Sequence, residues 1–230
     1  MGKLPAHLRR EIEAVKRQLL RLSGTVEENL KNAVDSVNTR NTELARTVIE
    51  TDHSIDLAEV EVEEECLKIL ALHQPVAFDL RFIVAILKIN SDLERIGDLA
   101  VNVAERSLFL SSQPEIETGF DFPEMAEKAR LMLKESLDAF VNLDRDKAAV
   151  VFEQDDDVDA ICSQMYDLVK AETTRKPENI HVLIHLLSIA RHLERIADHA
   201  ANISKDIIYM IDGEIIRHRT EKYKKHEDDQ

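Results

Sequence analysis

The 230-residue sequence contains few of the residues that interrupt helices or favour sheets. It has five Gly, five Pro, seven Phe and three Tyr, and it has no Trp. Leu, Ile, Val, Ala, Glu, Asp and Lys are abundant instead, which is typical of a helical protein with an aliphatic core. Five glycines argue against a phosphate-cradling loop, and the sequence contains no dinucleotide fingerprint or nucleophile elbow. We therefore predict an all-α protein that is not an enzyme.

Cysteine and positive charge are also scarce. Two cysteines, Cys66 and Cys162, are too few for a disulfide framework or a cysteine-based zinc site, so we expect both to be buried as small hydrophobic residues. Lys and Arg number 30 against 45 Asp and Glu, and the formal net charge is −15. Because a phosphate backbone is bound by clustered Lys and Arg, this balance predicts that the protein does not bind nucleic acid. It suits cations or a basic partner surface.

Long apolar runs are missing too. No stretch of about 18 apolar residues occurs, and the first residues, MGKLPAHLRREIEAVKRQLL, are amphipathic and charged rather than signal-like. We expect a soluble, cytoplasmic protein.

Turn-forming residues divide the sequence into six long predicted helices. The first three cover about 5–37, 42–72 and 75–111, with Thr42 as the cap of the second helix; the others cover about 124–143, 146–173 and 177–212. The prolines at 75 and 177 mark helix starts, because the residue before a proline disfavours the helical conformation. Between the two sets, SSQPEIETGFDFP gathers Ser, Gly and two Pro, which indicates a linker.

The two sets of helices are copies of one unit. LERIGDLAVN at 93–102 returns as LERIADHAAN at 193–202, and VIETDHSID at 48–56 is similar to VFEQDDDVD at 151–159. We predict two tandem three-helix bundles over 1–112 and 124–213, a linker over 113–123 and a charged, disordered tail over 214–230. Apolar residues three, four and seven apart supply the core of the third and sixth helices. These are Ile86, Ile89, Leu93, Ile96, Ala100 and Val103, and Ile189, Leu193, Ile196, Ala200 and Ile203.

Acidic residues recur four apart in both copies, on the side of the third and sixth helices away from the apolar stripe. The second and third helices form a hairpin in which both acidic pairs lie about 20 residues from the turn, so the pairs reach the same height. The fifth and sixth helices repeat this arrangement. The candidate site residues are Asp52, Asp56, Glu94, Asp98 and Asn102 in the first unit, and Asp155, Asp159, Glu194, Asp198 and Asn202 in the second.

Four converging carboxylates repel one another by about 1 kcal/mol per close pair at surface dielectric, and a cation would supply the missing counter-charge. An all-oxygen site suits magnesium, manganese, calcium or iron better than copper. We predict one surface metal site per unit, with Glu59 and Glu63 as peripheral ligands at most. The structural alternative is a solvated acidic face with local ion pairs, such as Arg95 with Asp98.

Histidines offer a second possibility, a carboxylate-metal enzyme. Di-iron bundles use Glu-x-x-His on inward-facing positions, and the sequence contains Glu50 with His53 and Glu178 with His181. Both pairs lie off the apolar stripes and are not repeated between the halves, so we interpret them as chance matches. The other histidines belong to no motif shared by the halves, and we expect them at the surface or at helix ends.

The segment at 65–106, ECLKILALHQPVAFDLRFIVAILKINSDLERIGDLAVNVAER, closely resembles the bacterial PhoU family of phosphate-transport accessory proteins. LERIADHAANI at 193–203 resembles the second repeat of that family. The QPxAxDLR turn, the LERIGD helix and the duplicated carboxylate motif occur together and in order. The second copy departs from the pattern at Ala197, which replaces a glycine but removes no ligand.

This resemblance implies two tandem three-helix bundles that bind multinuclear iron or zinc clusters, with manganese or magnesium as further possibilities. The first cluster would use Asp52, Asp56, Glu94 and Asp98, and the second Asp155, Asp159, Glu194 and Asp198.

The resemblance also implies a regulatory role. The protein would be a homodimeric adaptor between the ATPase subunit of the phosphate ABC transporter and the phosphate-sensing histidine kinase, and would contact the membrane only through these partners. It would repress the phosphate-starvation response and modulate phosphate uptake. The sequence itself shows no evident phosphate pocket. Metal buffering, or an enzyme using the same acids, is the alternative function, and a purely structural scaffold is the third.

Overall fold

The computed structural model describes residues 6–116 and 122–213, and within these ranges it contains helices and no strand. The all-α prediction is therefore confirmed. The helices are α1 (Ala6–Thr39), α2 (Thr42–His73), α3 (Ala77–Ser111), α4 (Phe122–Asn142), α5 (Arg145–Glu153), α6 (Asp155–Arg175) and α7 (Ile180–Asp212), with a 3-10 turn at Pro177–Asn179 before α7.

The predicted fifth helix is interrupted at Gln154, so that α5 and α6 are its two parts. The Gln154 amide donates to the carbonyl groups of both Val150 and Val151, at 3.3 and 3.2 Å. The Asp157 amide then donates to the Gln154 carbonyl at 3.2 Å, which tightens the chain into a turn. Asp155 therefore begins a new helix, whereas Asp52 lies inside the continuous helix α2.

The cap predicted at the start of α2 is wrong by one residue. Asn41, and not Thr42, is the N-cap: its side-chain oxygen accepts hydrogen bonds from the amides of Glu43 at 3.0 Å and Leu44 at 3.2 Å. The Asn side chain satisfies two amides that lack partners within the helix. Thr42 is the first helical residue.

The predicted apolar stripes of α3 and α7 are buried in full. In the first unit α1, α2 and α3 pack against one another, and in the second unit α4, α5 and α6 pack against α7. Cys66 and Cys162 are buried free thiols, as predicted. Burial raises the pKa of the Cys66 thiol to about 12, so this group is an apolar core residue rather than a thiolate ligand.

The two units are joined by a direct antiparallel contact between α3 and α7, and their buried residues form one continuous core. Arg81 Nε donates to the Met210 carbonyl oxygen at 3.0 Å near one end of this contact. Near the other end, the ring of Phe109 stacks on that of His185 with centroids 3.7 Å apart. Both acidic regions therefore belong to a single packed body.

Polar pairs cross the middle of the same contact. Lys88 Nζ lies 2.7 Å from Asp206 Oδ1, and His199 Nδ1 lies 2.8 Å from Asp92 Oδ1. The prediction that the unassigned histidines lie at the surface is wrong for His199, whose side chain is only 15% exposed. Its place between the units follows from the packing of α3 on α7.

Within the described ranges, no helix has both the length and the apolar content that crossing a membrane requires. The residues predicted as a disordered tail, 214–230, lie outside the described part of the chain, as do 117–121 of the predicted linker.

Candidate functional site

The four acids of the first unit come together on neighbouring turns of α2 and α3, as the sequence predicted. We call Asp52, Asp56, Glu94 and Asp98 the first acidic face. Burial raises the pKa of Asp52, and the charges of Asp56 on the same helix and Asp98 on the facing helix raise it further. The pKa of Glu94 is also raised, by burial and then by Asp98, and Asp56 adds to this shift from across the helix pair.

The second acidic face repeats this arrangement with Asp155 and Asp159 of α6 and Glu194 and Asp198 of α7. Burial raises the pKa of Asp155 to about 6, with further increases from Asp198 and Asp159. The pKa values of Asp159 and Glu194 are raised as well, by burial and then by Asp198. Each face therefore holds carboxylates that resist simultaneous ionisation.

A small residue allows the two helices of the first face to approach closely. A Cβ atom at Gly97 would lie 3.3 Å from both Cδ1 and Cγ2 of Ile55, and 3.6 Å from Asp52 Oδ1. Ile55 is completely buried between the acids Asp52 and Asp56. The matching residues of the second unit are Ala197 and Val158, and both are completely buried. Ala197 is larger than Gly97, whereas Val158 on the facing helix is smaller than Ile55.

One carboxylate oxygen in each face is buried without a hydrogen-bond partner in the described part of the chain. These atoms are Oδ1 of Asp52 and Oδ1 of Asp155. An acceptor left in this state costs about 1–3 kcal/mol, and more when it is charged. In the same ranges, no acid of either face forms an ion pair within 4.0 Å, so the alternative of local pairs with Arg95, Arg191 and Arg195 is not realised.

The two asparagines proposed as further ligands make local hydrogen bonds instead. Asn102 Nδ2 donates to the Asp98 carbonyl oxygen at 2.8 Å, within the same helix. Asn202 Oδ1 accepts from Lys205 Nζ at 3.3 Å. Because the asparagines make these bonds, the carboxylates are the main candidate metal ligands of both faces.

Glu59 is more closely linked to the first face than its predicted peripheral place suggested. Its carbonyl oxygen accepts from Nδ2 of the buried Asn90 at 2.8 Å, and its Oε1 lies 3.3 Å from the same nitrogen. The charge of Glu59 also contributes to the raised pKa of Glu94. In the sequence, Asn90, one turn before Glu94, could have indicated this link. The second repeat gives no matching signal, because its counterpart of Asn90 is Ala190.

The atoms of each face that could bind a metal are carboxylate oxygens, and the oxygens of Asp52 and Asp155 without hydrogen-bond partners fit a hard or borderline cation. As the side chains stand, no three His, Cys, Asp or Glu residues of the described ranges form a group that could hold one ion. Asp56, Asp98, Asp159 and Asp198 are exposed. Cation binding at either face therefore requires rotation of these side chains toward the buried carboxylate.

The two units that carry these faces match a known domain. A family model described as the PhoU domain matches residues 19–107 and, a second time, residues 122–207. The chain belongs to the PhoU family. The second match confirms the internal repeat, and the resemblance proposed from the LERIGD and QPxAxDLR segments is confirmed as well.

Relatives of this PhoU-family chain cover almost its whole length. A protein of Aquifex aeolicus named phosphate-specific transport system accessory protein PhoU homolog is 40% identical over 215 residues, which are 94% of this chain and 97% of the relative. The Escherichia coli phosphate-specific transport system accessory protein PhoU is 31% identical over 208 residues, covering 90% of this chain and 86% of the relative.

Solved PhoU structures share the fold. The crystal structure of PhoU from Pseudomonas aeruginosa superposes with a TM-score of 0.87 at 35% identity, covering 90% of this chain and 99% of that one. The phosphate transport system regulatory protein PhoU from Streptococcus pneumoniae gives 0.80 at 30% identity, covering 90% and 98%. The PhoU fold therefore applies to both units together.

Proposed function

We propose that this PhoU-family protein is a negative regulator of the phosphate-starvation response. It acts as a cytoplasmic adaptor between the ATPase subunit of the phosphate ABC transporter and the phosphate-sensing histidine kinase, and it modulates phosphate uptake. The observation that carries this proposal is the match to relatives named as phosphate-transport accessory proteins over 90% or more of the chain. The Streptococcus pneumoniae protein is named a regulatory protein of the same system.

The architecture suits an adaptor. The α3–α7 contact and the continuous core hold the two units in one arrangement, so that surfaces on different units keep a defined separation. A partner bound to one unit can then be placed relative to a partner bound to the other. We propose a homodimer as the working assembly, which sedimentation equilibrium of the purified protein tests directly.

Each acidic face is proposed to bind metal, with iron or zinc clusters first and manganese or magnesium as the alternatives. Within the described ranges the buried oxygens of Asp52 and Asp155 lack hydrogen-bond partners, and burial and then neighbouring acids raise the pKa values of both groups. A cation would supply positive charge and relieve the repulsion within each face. The carboxylates that bind it come from two helices, so binding would also hold α2 against α3 and α6 against α7.

Deletion of the gene tests the regulatory role. In phosphate-rich medium the deletion strain is expected to express phosphate-starvation genes constitutively, and the wild-type gene on a plasmid is expected to restore repression. A phosphate-starvation reporter measures both. Normal repression in the deletion strain contradicts the regulatory proposal.

Direct binding tests the adaptor role separately. Purified transporter ATPase and the cytoplasmic part of the sensor kinase are titrated against the protein, and saturable binding of both is expected. Repression that depends on the gene without binding to either partner contradicts the adaptor proposal. A third outcome is that the protein binds metal but binds neither partner, and that repression is unchanged in the deletion strain. This outcome favours the alternative, a metal-buffering protein or a carboxylate-metal enzyme.

A further inference from the structure

A groove of about 330 Å³ runs along one face of α7, beside the second acidic face. Its lining residues are three or four apart, as expected for one side of a helix. They begin with the apolar side chains of Ile184 and Leu187 and end with polar and basic ones. The lining consists of Ile184, Leu187, Ser188, Arg191, His192 and Arg195.

Three arginines concentrate positive charge at the polar end of this groove. Burial lowers the pKa of His192 to about 4, and the guanidinium groups of Arg106, Arg195 and Arg191 contribute to the decrease. Arg106 belongs to α3, so its charge acts on His192 from the neighbouring helix. In a chain with a formal net charge of −15, this is a local reversal of sign.

The three guanidinium groups have no close counter-charge. In the described part of the chain, none of Arg106, Arg191 and Arg195 forms an ion pair within 4.0 Å or a side-chain hydrogen bond. Burial, Asp198 and Asp159 raise the pKa of Glu194, and Arg191 and Arg195 oppose this rise. The two arginines therefore act on the second acidic face without forming a close ion pair with it.

Neutral polar groups complete the lining. The Ser188 hydroxyl lies 3.2 Å from His192 Nε2, and His192 Nδ1 is buried with no hydrogen-bond partner in the described ranges. The half-buried His192 thus contradicts the prediction of a surface histidine. The packing of α3 on α7 creates this environment.

We propose that the groove binds a doubly charged tetrahedral oxyanion, with inorganic phosphate as the ligand to be tested. Arg191, Arg195 and Arg106 would donate to its oxygens, and Ser188 would contribute its hydroxyl group. At neutral pH inorganic phosphate is a mixture of its singly and doubly charged forms, and it offers several acceptor oxygens. Guanidinium groups bind such oxygens through paired N–H donors. A single carboxylate offers only two acceptor oxygens for the same guanidinium groups.

The first unit does not repeat this groove. One hundred residues earlier, the positions matching Arg191 and His192 hold Ser91 and Asp92. Asp92 itself pairs with His199 across the unit contact. Leu87 and Arg95 are retained at the positions of Leu187 and Arg195, while Lys88 stands at the position of Ser188. The proposed oxyanion site is therefore centred on α7 and is not duplicated in the first unit.

Equilibrium dialysis with labelled inorganic phosphate tests the proposal at low ionic strength. The full chain is first treated with chelator, because phosphate also binds to metal ions. Wild type, the double variant R191Q/R195Q and the matched control R95Q are compared. Arg95, Arg191 and Arg195 are all exposed, so the variants are expected to fold, and thermal unfolding checks this. A variant R106Q tests the contribution of α3.

Wild type is expected to bind phosphate saturably, with a dissociation constant raised at least about tenfold in R191Q/R195Q, because two charged donors are lost. R95Q is expected to bind like wild type, and R106Q more weakly. The proposal is overturned by no saturable binding below about 10 mM, by equal binding in the double variant, or by an equal loss in R95Q. The measurement uses purified protein, so its outcome is independent of whether the chain represses genes in cells.

Discussion

Gly97 of α3 lies against Ile55 of α2, and a methyl group at position 97 would approach two carbon atoms of Ile55 to 3.3 Å. Ile55 is fully buried, so it has little room to move. In the second unit the same two positions hold Ala197 and Val158. Val lacks the terminal methyl group of Ile, and the two repeats thus divide nearly the same volume differently between the helices.

We predict that Gly97→Ala and Ile55→Val are coupled. Gly97→Ala alone is expected to lower the free energy of unfolding by about 1 kcal/mol, because overpacking costs about 1–3 kcal/mol and exceeds the helix-propensity gain. In the Ile55→Val background the same change is expected to be neutral or stabilising. Urea unfolding of the four proteins in the cycle measures the coupling, and additive effects contradict the volume argument.

The second acidic face predicts a dependence of stability on pH. The folded-state pKa of Asp155 is about 6, above its ordinary value of 3.8, because of burial and then Asp198 and Asp159. The folded protein therefore holds a proton that the unfolded chain has released. With chelator present, the contribution of Asp155 to the free energy of unfolding is expected to rise as the pH falls through about 6 and to be complete near pH 4, while His192, whose pKa burial lowers to about 4, opposes it over the same range.

Asp155→Asn tests this origin. At about pH 7.5 it is expected to stabilise the metal-free protein by about 1 kcal/mol, a value reduced for solvent screening, and this difference from wild type is expected to disappear as the pH falls to about 4. The control is Asp167→Asn on the exposed side of the same helix, which is expected to change neither. Urea unfolding at several pH values provides the comparison, and an unchanged profile in Asp155→Asn assigns the dependence to other groups.

If both acidic faces bind metal, removing the acids of one face is expected to halve the metal content of the protein. Asp52→Asn with Asp98→Asn, and separately Asp155→Asn with Asp198→Asn, are each expected to remove about half of the metal bound after chelation and reconstitution. Elemental analysis of protein purified without a metal affinity column measures this content.

Thermal unfolding adds a second readout for the metal faces. Metal at about 100 times its dissociation constant is expected to stabilise wild type by about 2.7 kcal/mol per independent site, and each double variant by about half of the total. Asp167→Asn again serves as the control. Equal metal content in wild type and in both double variants would contradict both proposed sites.

The unit contact predicts a large difference between two ion pairs of the same type. Lys88 Nζ lies 2.7 Å from Asp206, whose side chain is 9% exposed, whereas the exposed Lys68 pairs at 3.2 Å with Glu65, whose side chain is 39% exposed. Lys88→Met is expected to destabilise the protein by about 1.5–3 kcal/mol, because a charged hydrogen bond to a largely buried carboxylate is lost. Lys68→Met is expected to change stability by less than about 0.5 kcal/mol. Chemical unfolding of both variants tests this, and similar effects argue against a structural role for the α3–α7 pair.

Much of the helical plan could be predicted, because apolar residues of one helix face recur with a fixed period. The stripe from Ile86 to Val103 is buried as predicted. The break at Gln154 was missed since the pattern of apolar residues continues through it, and only the hydrogen bonds show the tightened turn. The cap was missed because Asn41 and Thr42 are both good capping residues, and the choice between them depends on backbone geometry.

The first acidic face was predictable in outline because helix rise and hairpin length place Asp52 at the height of Glu94. What could not be predicted was the state of individual atoms, such as the orphaned Oδ1 of Asp52. Burial of one carboxylate oxygen depends on how closely α2 and α3 approach, and Gly97 influences this distance. The local bonds of Asn102 and Asn202 were likewise beyond the reach of spacing arguments.

The sequence by itself determined the helices, the repeat and the pairing of acids within each unit, since all three depend on contacts between neighbouring segments. Only the tertiary structure decided that α3 and α7 join the units into one core. Periodicity shows which face of a helix is apolar, but it does not show which helix covers that face. The charge of Arg106 on α3 acts on His192 of α7 across that contact, and the proposed oxyanion groove therefore depends on it.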